Sequence, residues 1–239
     1  MTLSCNSEEG LNCFQAAGDP IEKEFDLDPF TSIVVEERVQ LILKHGPEQR
    51  VVIGTGENLL NDIEISVKDG ELTVFNDNGC NLVRDYNITQ LYVTSPNITQ
   101  IRNASGYEIQ SDGILSYPTL SLISEDVELE DEFHKDGDFR LELDVDELNI
   151  TGNGLSNYFL SGNVNTLNLE ILEGDARFEG RELIIQDLNL YQRGTNKVIV
   201  NPQQSIRGQI LSTGDVISVN RPPVVEVEEL YKGRLIFED

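Results

Sequence analysis

The sequence predicts an all-β protein of the parallel β-helix type, with β-hairpins in its N-terminal part. From about Phe25 onward, apolar and polar residues alternate as they do in strands, and apolar spacing of helical period is almost absent. From about Asn87, short apolar triplets recur, and turns rich in Gly and Asn separate them. Their spacing of roughly 16–23 residues lies in the range of solenoid rungs.

The N-terminal part begins with two predicted strands around a turn. Val39, Leu41 and Leu43 lie on one face of the first strand. Residues 45–50 form the turn, and residues 51–53 are expected to return as its partner strand. The segment that follows, residues 57–61, is the only place where a short helical turn is expected.

A second hairpin is predicted just after this segment. Ile63, Ile65 and Val67 alternate with polar residues, and Asp69-Gly70 is a strong signal for a two-residue hairpin turn. The returning strand, residues 72–74, continues the buried face.

The C-terminal part is a ladder of triplets and turns. The triplets occupy residues 91–93, 120–122, 141–143, 148–150, 167–169, 183–185, 198–200 and 216–219. Glycine-containing turns lie at residues 151–154, 161–163, 173–175 and 212–215. A strand this short cannot bury its apolar face alone, but it can when equivalent strands stack above and below it.

The competing fold is an antiparallel β-sandwich, whose turn signals look similar. The second half of the sequence lacks long predicted strands and clear hairpin turns, which favours the β-helix. The hairpins would then cap one end of the coil. Pro222-Pro223 and the charged strand at residues 224–227 would blunt the other end, where strand edges invite aggregation.

The charge of the chain excludes two classes of partner. Its 239 residues contain 17 Lys and Arg against 43 Asp and Glu, a net charge of -26. Such a polyanion is repelled by nucleic acid, whose binding depends on neutralising phosphates, and by bare anionic lipid. The sequence has no stretch of 18 or more apolar residues, so no membrane-spanning helix is expected.

The N-terminal residues and the cysteines predict an envelope lipoprotein. Leu3-Ser4-Cys5 resembles the end of a lipobox, in which the cysteine becomes lipidated. If Cys5 carries lipid, Cys13 and Cys80 remain as an even pair that an oxidising envelope would join in a disulfide. Three free thiols are the alternative. We therefore expect residues 1–18 to be a signal remnant and tether, and residues 19–239 to be one domain.

The acidic residues just after Cys5 point to the cell surface. Residues 6–10 resemble the surface-export signal of Bacteroidetes lipoproteins. The predicted location is therefore the outer membrane of a bacterial cell envelope, with the domain exposed on the surface and membrane contact by the lipid anchor only.

No residue set predicts catalysis. The two histidines, His45 and His134, are expected in exposed loops and have no catalytic motif around them. No cofactor or metal site is predicted. Residues 125–138 form an acidic insert that is interpreted as a solvated loop, with calcium binding as the hypothesis to test. Tyr107, Tyr117 and Tyr158 are candidates for stacking on sugars, although packing inside the rungs is the simpler interpretation.

Several motifs in a fixed order give the chain a family resemblance. They occupy residues 30–35, 39–43, 51–54, 58–60, 63–67, 69–74, 161–164 and 212–216. The chain resembles the family known as putative auto-transporter adhesin, head GIN domain, over nearly all of the chain beyond the tether. The resemblance implies a right-handed β-helix and an envelope lipoprotein of the Bacteroidetes type, and it supplies no catalytic residues.

Two functions from different classes follow as expectations. The first is a non-enzymatic binding or adhesion module, whose partner is an envelope or extracellular protein or a glycan; a purely structural role in the envelope is not separable from it. The second is a carbohydrate-active β-helix that degrades polysaccharides with clustered carboxylates. A groove with two carboxylates about 5–9 Å apart would favour the enzyme.

Overall fold

The structure is a computed structural model that describes residues 16–78, 88–127 and 133–238. This part of the chain is all-β, as predicted, and its strands form one large mixed sheet. The strands are β1 (Pro20–Phe25), β2 (Ser32–Val35), β3 (Gln40–His45), β4 (Arg50–Gly56), β5 (Ile63–Lys68), β6 (Glu71–Asn76), β7 (Gln90–Ser95), β8 (Gln100–Asn103), β9 (Ile109–Ser124), β10 (Phe139–Gly152), β11 (Tyr158–Ile171), β12 (Phe178–Gln192), β13 (Val198–Ile210), β14 (Val216–Ser218), β15 (Val224–Glu229) and β16 (Leu235–Phe237). A 3₁₀ helix, Glu57–Asp62, lies where the short helical turn was predicted.

The hairpin predicted around Asp69-Gly70 is confirmed. Strands β5 and β6 pair antiparallel, and Lys68 lies opposite Glu71. Asp69 and Gly70 have φ angles of 52° and 80°. Two successive residues with positive φ are what a two-residue hairpin turn of the primed type requires.

The other predicted hairpin is wrong. Strands β3 and β4 are adjacent in sequence, but β7 lies between them: it pairs parallel with β3 and antiparallel with β4. The connection at residues 46–49 is long enough to bridge two strand spacings of ~4.8 Å each, so a third strand fits between its ends. A local turn signal does not reveal this, because β7 comes from about 40 residues further along the chain.

The five long strands β9 to β13 pair in parallel with one another, in sequence order. This pairing is unlike the antiparallel sandwich that was the competing prediction. The strands span 13–16 residues, so the expectation that this half lacks long strands is wrong. Pairing with the preceding strand continues through Gly162 and Gly208, whose φ angles of 105° and 138° favour glycine.

The core consists of apolar columns that run across the parallel strands. Leu148, Leu167, Leu188 and Ile206 face one another in register, and each is fully buried. Val39, Leu41 and Leu43, predicted to share the buried face of one strand, are also fully buried, although β3 begins one residue after Val39. Short apolar segments are enough to form this core, because each strand covers the apolar side chains of the next.

Backbone hydrogen bonds stack the turns that join these strands. Asp175 donates to the carbonyl of Gly154, Thr195 to that of Gly174, and Gly214 to that of Gly194. The glycines recur at intervals of 20 residues, and register partners in consecutive strands from β10 to β13 lie 17–21 residues apart. No helix in the described ranges has the length and apolar character needed to cross a membrane. Cys5, Cys13 and Cys80 lie outside the described residues.

A candidate binding groove

A groove of about 540 Å³ crosses strands β9 to β12 near their N-terminal ends. Its lining combines charged, polar, aliphatic and aromatic residues. The lining residues are Gln110, Ser111, Arg140, Leu141, Glu142, Phe159, Leu160, Ser161, Glu179, Arg181 and Glu182.

The groove lies between two irregular stretches of the parallel sheet. On the β9 side, Gln110 pairs with Arg140 and Ile114 with Glu142, so residues 111–113 lie opposite the single residue 141. Extra residues in one strand bend it and redirect its side chains. The bulge also supplies a hydrogen bond across the strands, from the Glu142 amide to the Ser111 hydroxyl at 2.9 Å.

The second irregular stretch is in β12. Glu179 pairs with Ile199 and Ile184 with Asn201, so residues 180–183 lie opposite the single residue 200 of β13. These extra residues include Arg181 and Glu182, which line the groove. The more regular strands β10 and β11 form the floor between the two bulges.

An arginine stacked on an aromatic ring occupies this floor. Arg140 and Phe159 are partners in neighbouring strands, and the guanidinium lies 4.4 Å from the ring centroid. Glu108 fixes the arginine from the other side, because it accepts a hydrogen bond from Arg140 Nε at 2.9 Å. It also accepts a hydrogen bond from the Gln110 amide at 2.6 Å. The guanidinium is therefore held close to the ring by a hydrogen-bonded carboxylate.

A second arginine is held at the β12 wall. Arg181 donates to Glu238 near the C-terminus at 2.8 Å. This hydrogen bond lowers the pKa of Glu238 below its ordinary value and raises that of Arg181. Nearby, Arg177 donates to Glu179 at 2.5 Å. The two arginines that line the groove, Arg140 and Arg181, are thus held in position by the carboxylates of Glu108 and Glu238.

The arrangement is suited to non-covalent binding of a polar ligand. Glu142, Ser161 and Glu182 offer hydrogen-bonding groups along the lining, and Phe159 offers an apolar surface. The charged partners hold the arginine side chains in place, so little side-chain entropy is lost when a ligand binds.

Neither of the two histidines considered from the sequence lines this groove. His45 is the last residue of β3, and its ring packs edge-on against Tyr117 at 5.3 Å. His134 lies 3.4 Å from Glu37. Both histidines are exposed, as expected, but His45 lies at the end of a strand and not in the predicted turn.

The tyrosines proposed as sugar-stacking residues have other surroundings. Tyr117 and Tyr158 are buried, with exposed fractions of 3% and 0%, so their rings pack in the core instead of meeting solvent. Tyr107 is half-buried, and its carbonyl accepts a hydrogen bond from the Asn103 amide. The aromatic residue that does line the groove, Phe159, was missed. Its place in an apolar triplet-like segment made it resemble a core residue.

The acidic insert is only partly described, since residues 128–132 lie outside the described ranges. Glu125 pairs with Arg102 at 2.9 Å, and Asp126 pairs with Lys135 at 2.7 Å. Asp138 accepts hydrogen bonds from the backbone and side chain of Asn157. Among the described residues, no group of three or more His, Cys, Asp or Glu side chains is arranged to hold a metal ion.

Comparisons with solved structures identify the same fold in other proteins. A putative adhesin from Bacteroides fragilis superposes with a TM-score of 0.80 at 16% identity, over 92% of this chain and 97% of that one. A putative adhesin from Parabacteroides merdae gives a TM-score of 0.65 at 15% identity, over 93% and 97% of the two chains. A putative lipid binding protein from Parabacteroides distasonis gives 0.62 at 11% identity, over 92% and 97%. At these identities the likeness concerns the fold alone.

The family resemblance drawn from the sequence motifs is confirmed by a direct family match. No curated protein matches the sequence significantly. The sequence profile of one family covers residues 29–222, which is most of the chain and includes every strand that lines the groove. The chain belongs to the family described as putative auto-transporter adhesin, head GIN domain.

Proposed function

We propose that this protein is a non-enzymatic adhesion module of a bacterial cell surface that binds its ligand in the groove across β9 to β12. One observation carries the proposal: the two bulges frame a groove whose arginines are held in place on a rigid parallel sheet. Sites built on strands are held more firmly than sites on mobile loops. Membership of an adhesin family supports the same function.

We further propose that the parallel strands coil into a right-handed β-helix. The in-register pairing of β9 to β13 and the stacked turns at 20-residue intervals support a coil of this kind. Right-handed crossovers are the rule for parallel strands, because of the twist of each strand. Such a coil presents a long, stiff outer face, on which a ligand can make many weak contacts at once.

The proposed location is the outer membrane, with attachment by lipid on Cys5 and a disulfide between Cys13 and Cys80. The lipobox-like residues before Cys5 support the anchor, and adhesin-like relatives from Bacteroidetes support a surface position. The full-length precursor should incorporate labelled palmitate, and a Cys5→Ser variant should not. Equal labelling of the two proteins would contradict the anchor.

The binding function is tested with the purified domain on arrays of glycans and of envelope proteins. We expect saturable binding to one ligand class, and competition by the same domain in solution. An Arg140→Glu variant should weaken binding, because the reversed charge faces Glu108 and leaves Phe159. The matched control is Arg207→Glu, which changes a half-exposed arginine on β13 outside the groove.

The same experiment separates binding from catalysis. Glycans that are bound should be recovered unchanged by mass spectrometry. If they are shortened, and if Glu142→Gln or Glu182→Gln stops the shortening, the protein is the polysaccharide-degrading enzyme instead. Binding that Arg140→Glu and Arg207→Glu alter equally would place the ligand elsewhere on the surface.

A further inference from the structure

The C-terminal end of the ladder leaves apolar core positions open. Val225 of β15 continues the column of Leu188 and Ile206, which are fully buried, yet Val225 is 39% exposed. Leu235 of β16 continues the column that ends in the fully buried Val216, and it is only partly buried. Among the described residues, no further rung covers the core-facing side of these two strands.

Exposed apolar side chains concentrate at this end. Of the seven large hydrophobic side chains that are exposed in the described residues, four lie within the last 15 residues of the chain. These four are Val225, Leu230, Tyr231 and Ile236. Clustered apolar exposure on a protein marks a contact surface, whereas single exposed residues do not.

The backbone at this end is also open on one side. Among the described strands, β15 pairs only with β13, and β16 only with β14. Alternate N–H and C=O groups of β15 therefore point away from the sheet, as at any edge strand. An added strand satisfies such groups, and this is how many proteins capture an extended peptide.

The side chains of β15 determine which side chains a strand added at this edge must have. Val225 and Val227 lie on the core side, and Glu226 and Glu228 lie on the outer side. The two glutamates accept hydrogen bonds from the preceding rung, from Arg207 at 3.1 Å and from Gln209 at 3.1 Å. Glu226 is still 66% exposed, so its charge also meets whatever lies beyond β15. A complementary strand has apolar residues on one side and basic residues on the other.

A second copy of the chain does not meet this requirement. Two copies related by a two-fold axis would pair their β15 strands antiparallel, and residues that face each other would lie on the same side of the sheet. Glu226 would then face Glu226 or Glu228 of the other copy. The net charge of -26 on each chain adds repulsion at longer range.

We propose that the edge of β15 binds a basic β-strand of another polypeptide, in which Lys or Arg alternates with apolar residues. The apolar side chains cover Val225 and Val227, and the basic side chains pair with Glu226 and Glu228. This surface shares no lining residue with the groove. The inference therefore does not depend on what the groove binds, and either one can fail without the other.

The proposal is tested with two synthetic peptides of seven residues and NMR shifts of the amide groups. One peptide alternates valine with lysine, and the other alternates valine with glutamate. We expect the lysine peptide to shift the amides of residues 224–230 saturably, and the glutamate peptide to shift none. Raising the salt concentration should weaken the binding, because the paired charges are exposed.

A charge reversal provides the decisive variant. Glu226→Lys combined with Glu228→Lys should weaken binding of the lysine peptide by about tenfold and create binding of the glutamate peptide. The matched control is Asp144→Lys combined with Glu170→Lys, which makes the same charge change at exposed positions of β10 and β11. The control should bind the lysine peptide like the unaltered protein. Both variants are checked for an unchanged melting temperature.

Three results would overturn the proposal. The first is equal binding of both peptides, and the second is a charge reversal that acts no more strongly than its control. The third is self-association in sedimentation experiments that Val225→Lys abolishes, because this would assign the edge to a second copy of the chain.

Discussion

The ring of Tyr158 lies nearly parallel to that of Phe139, with 5.1 Å between their centroids and 6° between their planes. Phe178 follows on the next strand, 6.5 Å from Tyr158. The three residues are register partners in β10, β11 and β12, so they form an aromatic column inside the ladder. Tyr158 is fully buried, and its hydroxyl has no hydrogen-bond partner among the described residues. Burial raises the pKa of this phenol well above its ordinary value, and the charge of Asp138 raises it further.

Replacing this tyrosine tests whether the column depends on the ring alone. Tyr158→Phe keeps the stack and removes a buried polar group, so we expect the free energy of unfolding to rise by about 1 kcal/mol. Tyr158→Ala removes the ring and should lower it by about 3–5 kcal/mol. Both values are measured by urea denaturation. A loss of stability in Tyr158→Phe would mean that the hydroxyl has a hydrogen-bond partner after all.

Alanine substitutions at two glycines with positive φ distinguish the cost of backbone strain from the cost of a steric clash. A Cβ at Gly162 would lie 2.0 Å from the carbonyl oxygen of Leu143, whereas nothing lies within 4 Å of a Cβ at Gly70. Gly70→Ala should therefore cost only the strain of a left-handed alanine, about 1–2 kcal/mol. Gly162→Ala adds a clash with backbone that cannot move freely, and we expect a loss of about 3 kcal/mol or more. Thermal denaturation compares the two, and equal losses would contradict the close approach.

The features that sequence predicted well are those that depend on neighbouring residues. The alternation of Val39, Leu41 and Leu43 identifies their buried face, and Asp69-Gly70 identifies its own turn, because each signal is contained in a few positions. The placement of β7 between β3 and β4 was missed because strand pairing over a long separation leaves no local trace. The same reason kept the length of β9 to β13 hidden.

The groove could not be predicted from the sequence, for a related reason. A bulge exists only relative to a partner strand, as when residues 111–113 of β9 lie opposite residue 141 of β10. The sequence of one strand does not reveal how many residues the neighbouring strand has over the same stretch. From the sequence alone, Arg140 looks like a surface residue and Phe159 like a core residue. Only the register of β10 and β11 shows that the two are neighbours. The sequence did place one end of the coil at residues 224–227, but it did not show that the apolar side chain of Val225 stays exposed there.

Hydrogen bonds between asparagine side chains of neighbouring strands test the parallel register, because substitutions that break different numbers of them should differ in cost. Asn168 donates to Asn149 at 2.7 Å and accepts a hydrogen bond from Asn189 at 2.8 Å. Asn168→Ala breaks both bonds and a longer one to Glu147 at 3.3 Å, and we expect it to lower the free energy of unfolding by about 1–2 kcal/mol. Asn189→Ala breaks one bond and should cost about half as much. Asn163→Ala, at an exposed position of β11, is the control and should stay within about 0.5 kcal/mol.

A departure from this order would count against the register. If Asn189→Ala proved as costly as Asn168→Ala, the two amides would not be linked through the central one. Chemical denaturation serves as the measurement, because its slope also reports whether the unfolded state has changed.

The contact between Arg181 and Glu238 predicts how the C-terminal strand responds to pH. The hydrogen bond from Arg181 lowers the pKa of Glu238 below its ordinary value of 4.5. A lowered pKa in the folded state means that the contact stabilises the fold above the ordinary value, and that this stabilisation is lost as the pH falls through the folded value. Carbon-detected NMR titration of the Glu238 carboxyl should give a midpoint below 4.5. The same titration in Arg181→Gln should give a higher midpoint, because the hydrogen bond that lowers the pKa is lost, whereas Arg207→Gln should leave it low. Because β16 ends beside this pair, amide exchange at residues 235–238 should quicken in Arg181→Gln and at acidic pH alike. Exchange that is unchanged in both conditions would show that the pair does not fasten the strand.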